Sequence, residues 1–253
     1  MKPNVKQPAD WTDAQINAFW DWQSQQAANQ QQYFTAVMAP AIVRFLKKKN
    51  LLRGKVLDYG CGAGHLLEVL LQEPGTACYG IDFSAESIER TKEKTKGHAG
   101  LKELVVADKL PLPLPGDYFS LVTMIETIEH LRDEQLSATF DEAFRLLKSG
   151  GALFITTPFA EALEAHMQYC PFCNSEFHRM QHLQSFSVER LQQLATEHGF
   201  TVNICGPLDM EMIRLGTFRY GLKKTLIGLA ASAGLAEKRL HSTPNLLALL
   251  IKP

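Results

Sequence analysis

Long hydrophobic runs are missing from this sequence. Its most extended apolar stretch, Thr225 to Ala236, falls short of the roughly 20 residues that a membrane-spanning helix requires. No apolar h-region follows Met1-Lys2-Pro3-Asn4, so no secretory signal peptide is expected. Neither charge is in surplus. Lys and Arg number 26 against 27 Asp and Glu, and the formal net charge of −1 argues against a broad nucleic-acid-binding surface. Cysteine is scarce and odd in number: Cys61, Cys78, Cys170, Cys173 and Cys205. That count does not make a disulfide framework, and a reducing, cytoplasmic setting is expected. Internal repeats and disordered linkers are also absent. What is there is an ordinary globular composition, 45% hydrophobic and 21% charged, which can bury a core.

Residues 10 to 50 read as helices. Trp11, Phe19, Trp20 and Trp22 stand in a Gln-rich stretch, and an amphipathic segment runs from Phe34 to Lys49. From residue 54 onward strands and helices alternate. Strands are expected at Lys55–Asp58, Ala77–Ile81, Leu104–Ala107, Phe119–Met124, Ala152–Thr156, Phe200–Cys205 and Asn245–Ile251. Helices are expected at Leu66–Leu71, Ala85–Lys96, Phe140–Leu147 and Val188–His198, with another holding Glu126 to His130. Gly150-Gly151 reads as the stop of the helix before it. The alternation implies an α/β fold: a Rossmann-like, doubly wound, mostly parallel seven-stranded sheet with N-terminal helices.

The segment Asp58-Tyr59-Gly60-Cys61-Gly62-Ala63-Gly64-His65 carries the most information. Its glycines permit a tight turn and close approach of a ligand to the backbone. The turn falls at the carboxyl end of the first strand, where open α/β sheets bind ligands. Asp82 ends the second strand, where a carboxylate can accept both hydroxyls of a ribose. Asp108 ends the third, placed to meet an adenine edge. A dinucleotide site wants G-x-G-x-x-G, but here the spacing is G-x-G-x-G and His65 stands where the last glycine should be. An adenosyl ligand without a pyrophosphate suits that spacing better. Asp58 would then hold the loop and face the ligand's ammonium group.

These segments resemble the class I methyltransferase family. Asp58-x-Gly60-x-Gly62-x-Gly64 looks like its first motif, Gly80-Ile81-Asp82-Phe83-Ser84 the second, and Ala107-Asp108-Lys109-Leu110-Pro111 the third. Leu147-Lys148-Ser149-Gly150-Gly151-Ala152-Leu153 looks like its late helix-to-strand turn. The resemblance spans roughly residues 50–205. It implies S-adenosylmethionine contacts from Asp58, Gly60, Cys61, Gly62, Asp82, Phe83, Asp108, Lys109, Ile125 and Glu126. It also divides the chain into a helical cap, 1–50, and a methyltransferase domain, 51–253. Insertions are expected in that domain at 159–186, which is rich in Cys and His, and at 207–243, which is helical. One departure is the proline-rich, stiff Pro111-Leu112-Pro113-Leu114-Pro115.

Glu126, Glu129 and His130 stand at i, i+3 and i+4, on one face if the segment is helical. Two carboxylates and an imidazole make a candidate site for Mg or Mn. The alternative is that Glu129 pairs locally and His130 lines the pocket. The Glu-x-x-Glu-His string resembles the O-methyltransferases of ubiquinone synthesis. It also resembles the small-RNA 3′-terminal 2′-O-methyltransferases, whose two Glu and His bind a divalent metal with a later His. His182 is best placed to match that residue. Without metal, His130 is the candidate general base.

Cys170-Pro171-Phe172-Cys173, followed by His178 and His182, has close to zinc-knuckle spacing, and a structural zinc ordering a lid is expected from these four. His166 is a rival fourth ligand, and two ordinary loop cysteines are the alternative. The N-terminal aromatics either cap the pocket or pack on the sheet edge. Phe218 to Lys224 and the apolar run after it read as a buried helix or as a segment grazing a membrane or lipid-like substrate. Together the sequence points to methyl transfer onto an oxygen of a small molecule, a quinone precursor or a sugar. An RNA terminus, a non-catalytic cofactor-binding protein and an NAD-dependent oxidoreductase are the alternatives.

Overall fold

The computed structural model describes residues 11–26, 33–107, 109–215 and 244–253, together with Arg219 and Thr225. Two helices lead, α1 (Asp13–Gln25) and α2 (Phe34–Lys48). Thr12 caps α1 by accepting the Gln15 N–H, while the Gln15 side chain accepts the Thr12 N–H. Then come β1 (Gly54–Tyr59), α3 (His65–Leu70), β2 (Thr76–Asp82), α4 (Ala85–Lys94), β3 (Leu101–Val106), β4 (Phe119–Ile125), α5 (Asp133–Leu146) and β5 (Leu147–Pro158). A short hairpin, β6 (Met167–Cys170) and β7 (Ser175–His178), precedes α6 (Val188–Glu197), β8 (Thr201–Leu208), α7 (Met210–Leu215) and β9 (Asn245–Ile251).

Seven strands form one sheet in the order β3-β2-β1-β4-β5-β9-β8, and β9 alone runs antiparallel to its neighbours. Near-continuous apolar runs, whose successive side chains alternate between the faces, explain why this sheet is buried on both sides. In β5, Leu153 and Ile155 point to one core while Ala152 and Phe154 point to the other. In β9, Leu246, Ala248 and Leu250 oppose Leu247 and Leu249 in the same way. Helices α5 and α6 cover the first face through Leu136, Phe140, Leu191 and Ala195. Helices α2, α3 and α4 cover the second through Ile42, Leu46, Leu66, Leu70 and Ile88. Each such fully buried Leu, Ile or Phe contributes roughly 1.5–3 kcal/mol.

The strand order reverses direction between β1 and β4, which opens a crevice at their carboxyl ends. The proline-rich loop after β3 is anchored beneath that sheet. Leu112 and Leu114 are buried, Glu142 accepts the Leu112 N–H at 2.9 Å, and Arg145 donates to the Leu114 carbonyl at 3.0 Å. One boundary differs from the sequence reading. Helix α5 starts at Asp133 and passes straight into β5 at Leu147, so Gly150-Gly151 is strand and not a helix stop. Its backbone is needed for the sheet, since the Gly150 N–H donates to the Lys252 carbonyl at 2.8 Å. Most of the 207–243 insertion lies outside the described residues. No helix of the described residues is long and apolar enough to cross a membrane.

Candidate functional site

The Gly-rich turn links β1 to α3 at the crevice. Gly60 sits at φ 80, and a Cβ there would lie 2.8 Å from the Thr127 side chain, so the position admits only glycine. Gly62, at φ 52, faces open space. That is where a ligand can approach the backbone. The Gly60 and Cys61 N–H groups both donate to the Ile81 carbonyl at 2.9 Å, which ties the turn to β2.

Asp82 is buried at the end of β2 and accepts the Gly62 N–H at 2.8 Å and the Ser84 N–H at 2.9 Å. Burial pushes its pKa up to about 6 against the pull of those donors. Asp58 is buried one strand over and accepts the Thr123 hydroxyl at 2.8 Å; burial raises it to about 7. The structure therefore brings Asp58, Gly60, Cys61, Gly62, Asp82 and Ile125 to one crevice, with the Phe83 ring 37% exposed at its lip. Cys61 is buried, and its thiol pKa is raised well above normal by burial and then by Asp82 and Asp58. Lys109 is exposed in the loop after β3, and Asp108 lies outside the described residues.

Past β4 the structure corrects the helix expected over Glu126 to His130. Only Ile128–His130 forms a turn, and it is 3₁₀. Glu126 takes a left-handed φ of 49, and its N–H pairs with the Thr156 carbonyl, so no continuous helix face carries all three groups. Its carboxylate instead accepts the Thr156 hydroxyl at 2.8 Å and the Asn245 amide at 3.0 Å. Burial raises its pKa to about 7. Glu126 braces β4 to β5 and β9, and among the described residues the donor groups that converge within 4.8 Å do not include it.

Glu129, His130 and His182 do converge. One donor atom from each lies within 4.8 Å of the others. Backbone bonds deliver His182: the Leu183 and Gln184 N–H groups both donate to the Glu129 carbonyl, at 2.8 and 3.0 Å. His130 Nδ1 faces the Gln181 carbonyl at 3.3 Å, which leaves Nε2 with its lone pair. Burial first, then the neighbouring His182, lower the His130 pKa to about 3. Glu129 accepts the Thr157 hydroxyl with Oε2 at 2.9 Å, yet its Oε1 is buried without a hydrogen-bond partner. Burial, and then the charge of Glu126, push its pKa well above the ordinary range. A cation would satisfy that oxygen and reverse the shift, so the donor set fits a divalent ion.

The zinc ligand set expected from Cys170, Cys173, His178 and His182 is not assembled. In the hairpin Cys170 pairs with Ser175 near the turn, whereas His178 pairs with Met167 at the base. Three residues of strand separate the two ends, about 10 Å at ~3.3 Å per residue. At the base His178, His182 and, at 4.0 Å, His166 surround Glu161. At the tip Cys173 hydrogen-bonds Ser175 at 3.2 Å beside the fully exposed Phe172.

Helix α1 covers the site. The Trp20 ring meets His130 edge-on at 4.8 Å, and its Nε1–H donates to Gln181 Oε1 at 2.7 Å. Asp21 accepts the Ser84 hydroxyl at 2.6 Å, directly beside Asp82, and Trp11 packs on Phe177. Of the two readings of the N-terminal aromatics, capping the pocket is the one these contacts support. Glu161, Gln181 and Thr157 were missed by sequence reasoning, since none stands in a motif or at a diagnostic spacing.

A methyltransferase-domain family profile matches residues 28–203. Among curated relatives, a ubiquinone biosynthesis O-methyltransferase of Pseudomonas aeruginosa is 32% identical over 121 residues, 47% of this chain and 50% of that protein. One from Coxiella burnetii is 32% identical over 123 residues, again 47% and 50%. The chain thus spans about half the length of the curated relatives it matches. Its fold is shared with a putative methyltransferase bound to its Trm112 activator in Haloferax volcanii, at TM-score 0.64 and 17% identity, covering 92% of this chain and 97% of that one. It is shared also with magnesium protoporphyrin IX methyltransferase of Synechocystis, solved with bound SAM, at TM-score 0.60 and 15% identity, covering 97% and 99%. With the sheet order and the glycine crevice already in place, the profile match assigns the chain to the class I S-adenosylmethionine-dependent methyltransferase family.

Proposed function

We propose that this protein transfers a methyl group from S-adenosylmethionine to an oxygen of a small molecule bearing vicinal oxygens, such as a quinone precursor or a sugar, in the cytoplasm. The observation that carries the acceptor half is the unpartnered, buried Glu129 Oε1 beside the imidazoles of His130 and His182.

S-adenosylmethionine supplies the electrophilic methyl group on its sulfonium, which leaves the chain to bind, orient and deprotonate the acceptor. Glu129, His130 and His182 would hold Mg or Mn, which supplies the Lewis acidity that lowers the pKa of an acceptor hydroxyl. Asp82 offers its carboxylate to the ribose hydroxyls, and Gly62 lets the adenosyl group lie against the backbone. Asp58 fixes β1 to β4 through Thr123. His130 turns Nδ1 to the Gln181 carbonyl, and the Nε2 lone pair this leaves lets it serve as a ligand beside Glu129 and His182. Trp20 packs edge-on over His130 and helps shape the acceptor side of the site.

The same three donors suit the vicinal hydroxyls of an RNA 3′ terminus, which is the second reading; the balanced charge weighs against it. The test is a methyl-transfer screen over catechols, quinone precursors, sugars and short RNAs, with and without Mg or Mn. Turnover of a vicinal oxygen acceptor that needs added metal and vanishes in Glu129→Gln is expected. Full metal-independent turnover by Glu129→Gln would overturn the metal part. Salt-sensitive turnover confined to RNA would move the assignment to the second reading.

A further inference from the structure

Glu161 is the centre of a second cluster, since Glu161, His178 and His182 also offer donors within 4.8 Å of one another. On distance alone this is a rival cation site that shares His182 with the first. Proton placement separates the two. His178 Nδ1 faces two backbone N–H groups, those of Met180 at 3.3 Å and His182 at 3.1 Å. It must accept both, so in neutral His178 the ring proton sits on Nε2. That nitrogen is buried, without a hydrogen-bond partner of good geometry, and 3.4 Å from Glu161 Oε1. An N–H there donates toward the carboxylate and has no lone pair left for a metal.

His182 is arranged the other way. Its Nδ1 lies 2.5 Å from Glu161 Oε2, a contact that requires the proton on Nδ1. In the neutral ring Nε2 is then bare, and with Nδ1 taken by Glu161 it is the nitrogen left to serve as the donor that converges with Glu129 and His130. The two rings stack at 4.5 Å and 21°, which locks both orientations. Glu161 itself is 13% exposed. Burial opposes its charge, but the close approach of the His178 and His182 rings outweighs burial and holds it below the ordinary carboxylate range. The backbone sets its place: the Ala160 N–H donates to the Phe186 carbonyl at 2.9 Å, and Phe159 bridges to Phe186.

We infer that Glu161 is a positioning residue that, braced by His178, fixes His182 in the Nδ1–H tautomer and so aims Nε2 at a single cation site formed with Glu129 and His130. The inference rests on the metal reading proposed above. A carboxylate that orients a ligating imidazole is usually worth 10–100-fold in metal affinity.

Two measurements on the full chain test it. Imidazole ¹H–¹⁵N correlation spectra of the metal-free wild type should show His182 protonated on Nδ1 and His178 on Nε2. The reverse tautomer at His182 would overturn the inference, whether or not any metal binds. Mn²⁺ titration followed by electron paramagnetic resonance should then find one ion per chain in the wild type and none in His182→Ala. Affinity should fall about 10–100-fold in Glu161→Gln while S-adenosylhomocysteine affinity is unchanged. Binding in Glu161→Gln within about twofold of wild type, or two ions per chain falling to one in that variant, would overturn the role given to Glu161. No Mn²⁺ binding by a folded wild type sinks the metal reading itself, a result distinct from both. Should Glu161→Gln not fold, Glu161→Asp keeps the charge and shortens its reach, and an intermediate loss of affinity is expected.

Discussion

The two ends of the crevice are built on different principles. The end proposed for the cofactor is local and made largely of backbone: the glycine turn after β1 and the acidic tip of β2. The end proposed for the acceptor is assembled from four distant segments, contributing Trp20, Glu129 and His130, Glu161, and the stretch from His178 to His182. The first needs a few residues whose conformation nothing else can adopt. The second needs a network in which each polar group orients the next. That difference dictates how each end should fail.

Gly60→Ala should do the most damage. It combines a positive φ with a 2.8 Å clash against Thr127. A loss of about 2–4 kcal/mol in stability is expected, with S-adenosylhomocysteine binding abolished. Denaturation curves and calorimetry check both. A variant that binds normally would break the claim that backbone shape makes the cofactor end.

Asp58→Asn sharpens the comparison through pH. The folded-state pKa of Asp58 is raised from 3.8 to about 7, above its unfolded value. Stability from the neutral form is therefore fully present below about pH 4 and lost as pH rises through about 7. The asparagine variant lacks that loss and keeps an acceptor for Thr123. Between about pH 4 and about pH 8 the wild type should lose about 2–4 kcal/mol relative to it, read from urea midpoints across that range. Parallel pH profiles for the two proteins would show that Asp58 is solvated in solution.

Trp20→Ala acts on the acceptor end only. It removes an aromatic edge contact with His130 and a hydrogen bond to Gln181, each worth about 0.5–1.5 kcal/mol. A rise of about 3–10-fold in acceptor KM is expected, with kcat little changed. An equal loss of cofactor affinity would mean that α1 serves both ends alike.

The smallest effect is expected from the double variant Cys170→Ser and Cys173→Ser. These thiols lie at the hairpin tip, away from the histidines at its base. Stability should stay within about 0.5 kcal/mol and Mn²⁺ affinity should not change. Elemental analysis showing a zinc that both substitutions remove would reopen the hairpin as a metal centre.

Most of the fold was legible in the sequence because its signals are periodic and local. Asn245–Ile251 was read to the residue because an unbroken apolar run flanked by polar residues has few other readings in a domain of alternating elements. The glycine turn after β1 was legible because its signal, too, is local. The acceptor end was legible only in part. Spacing grouped Glu126 with Glu129 and His130 by assuming a helix, and the left-handed turn at Glu126 undid that assumption. Spacing likewise joined Cys170 and Cys173 to His178 and His182, whereas antiparallel pairing carries the two pairs to opposite ends of a hairpin.

By itself, then, the sequence determined the α/β architecture, the glycine turn and the carboxylates that end the first two strands. Each is a matter of local conformation or of alternation along one strand. Only the tertiary structure decided which carboxylate and which histidines meet. Phe159 must pair with Phe186, and the Leu183 and Gln184 N–H groups with the Glu129 carbonyl, before Glu161 and His182 stand beside His130. Those bonds close loops between distant parts of the chain, and no spacing in a sequence encodes where such loops close.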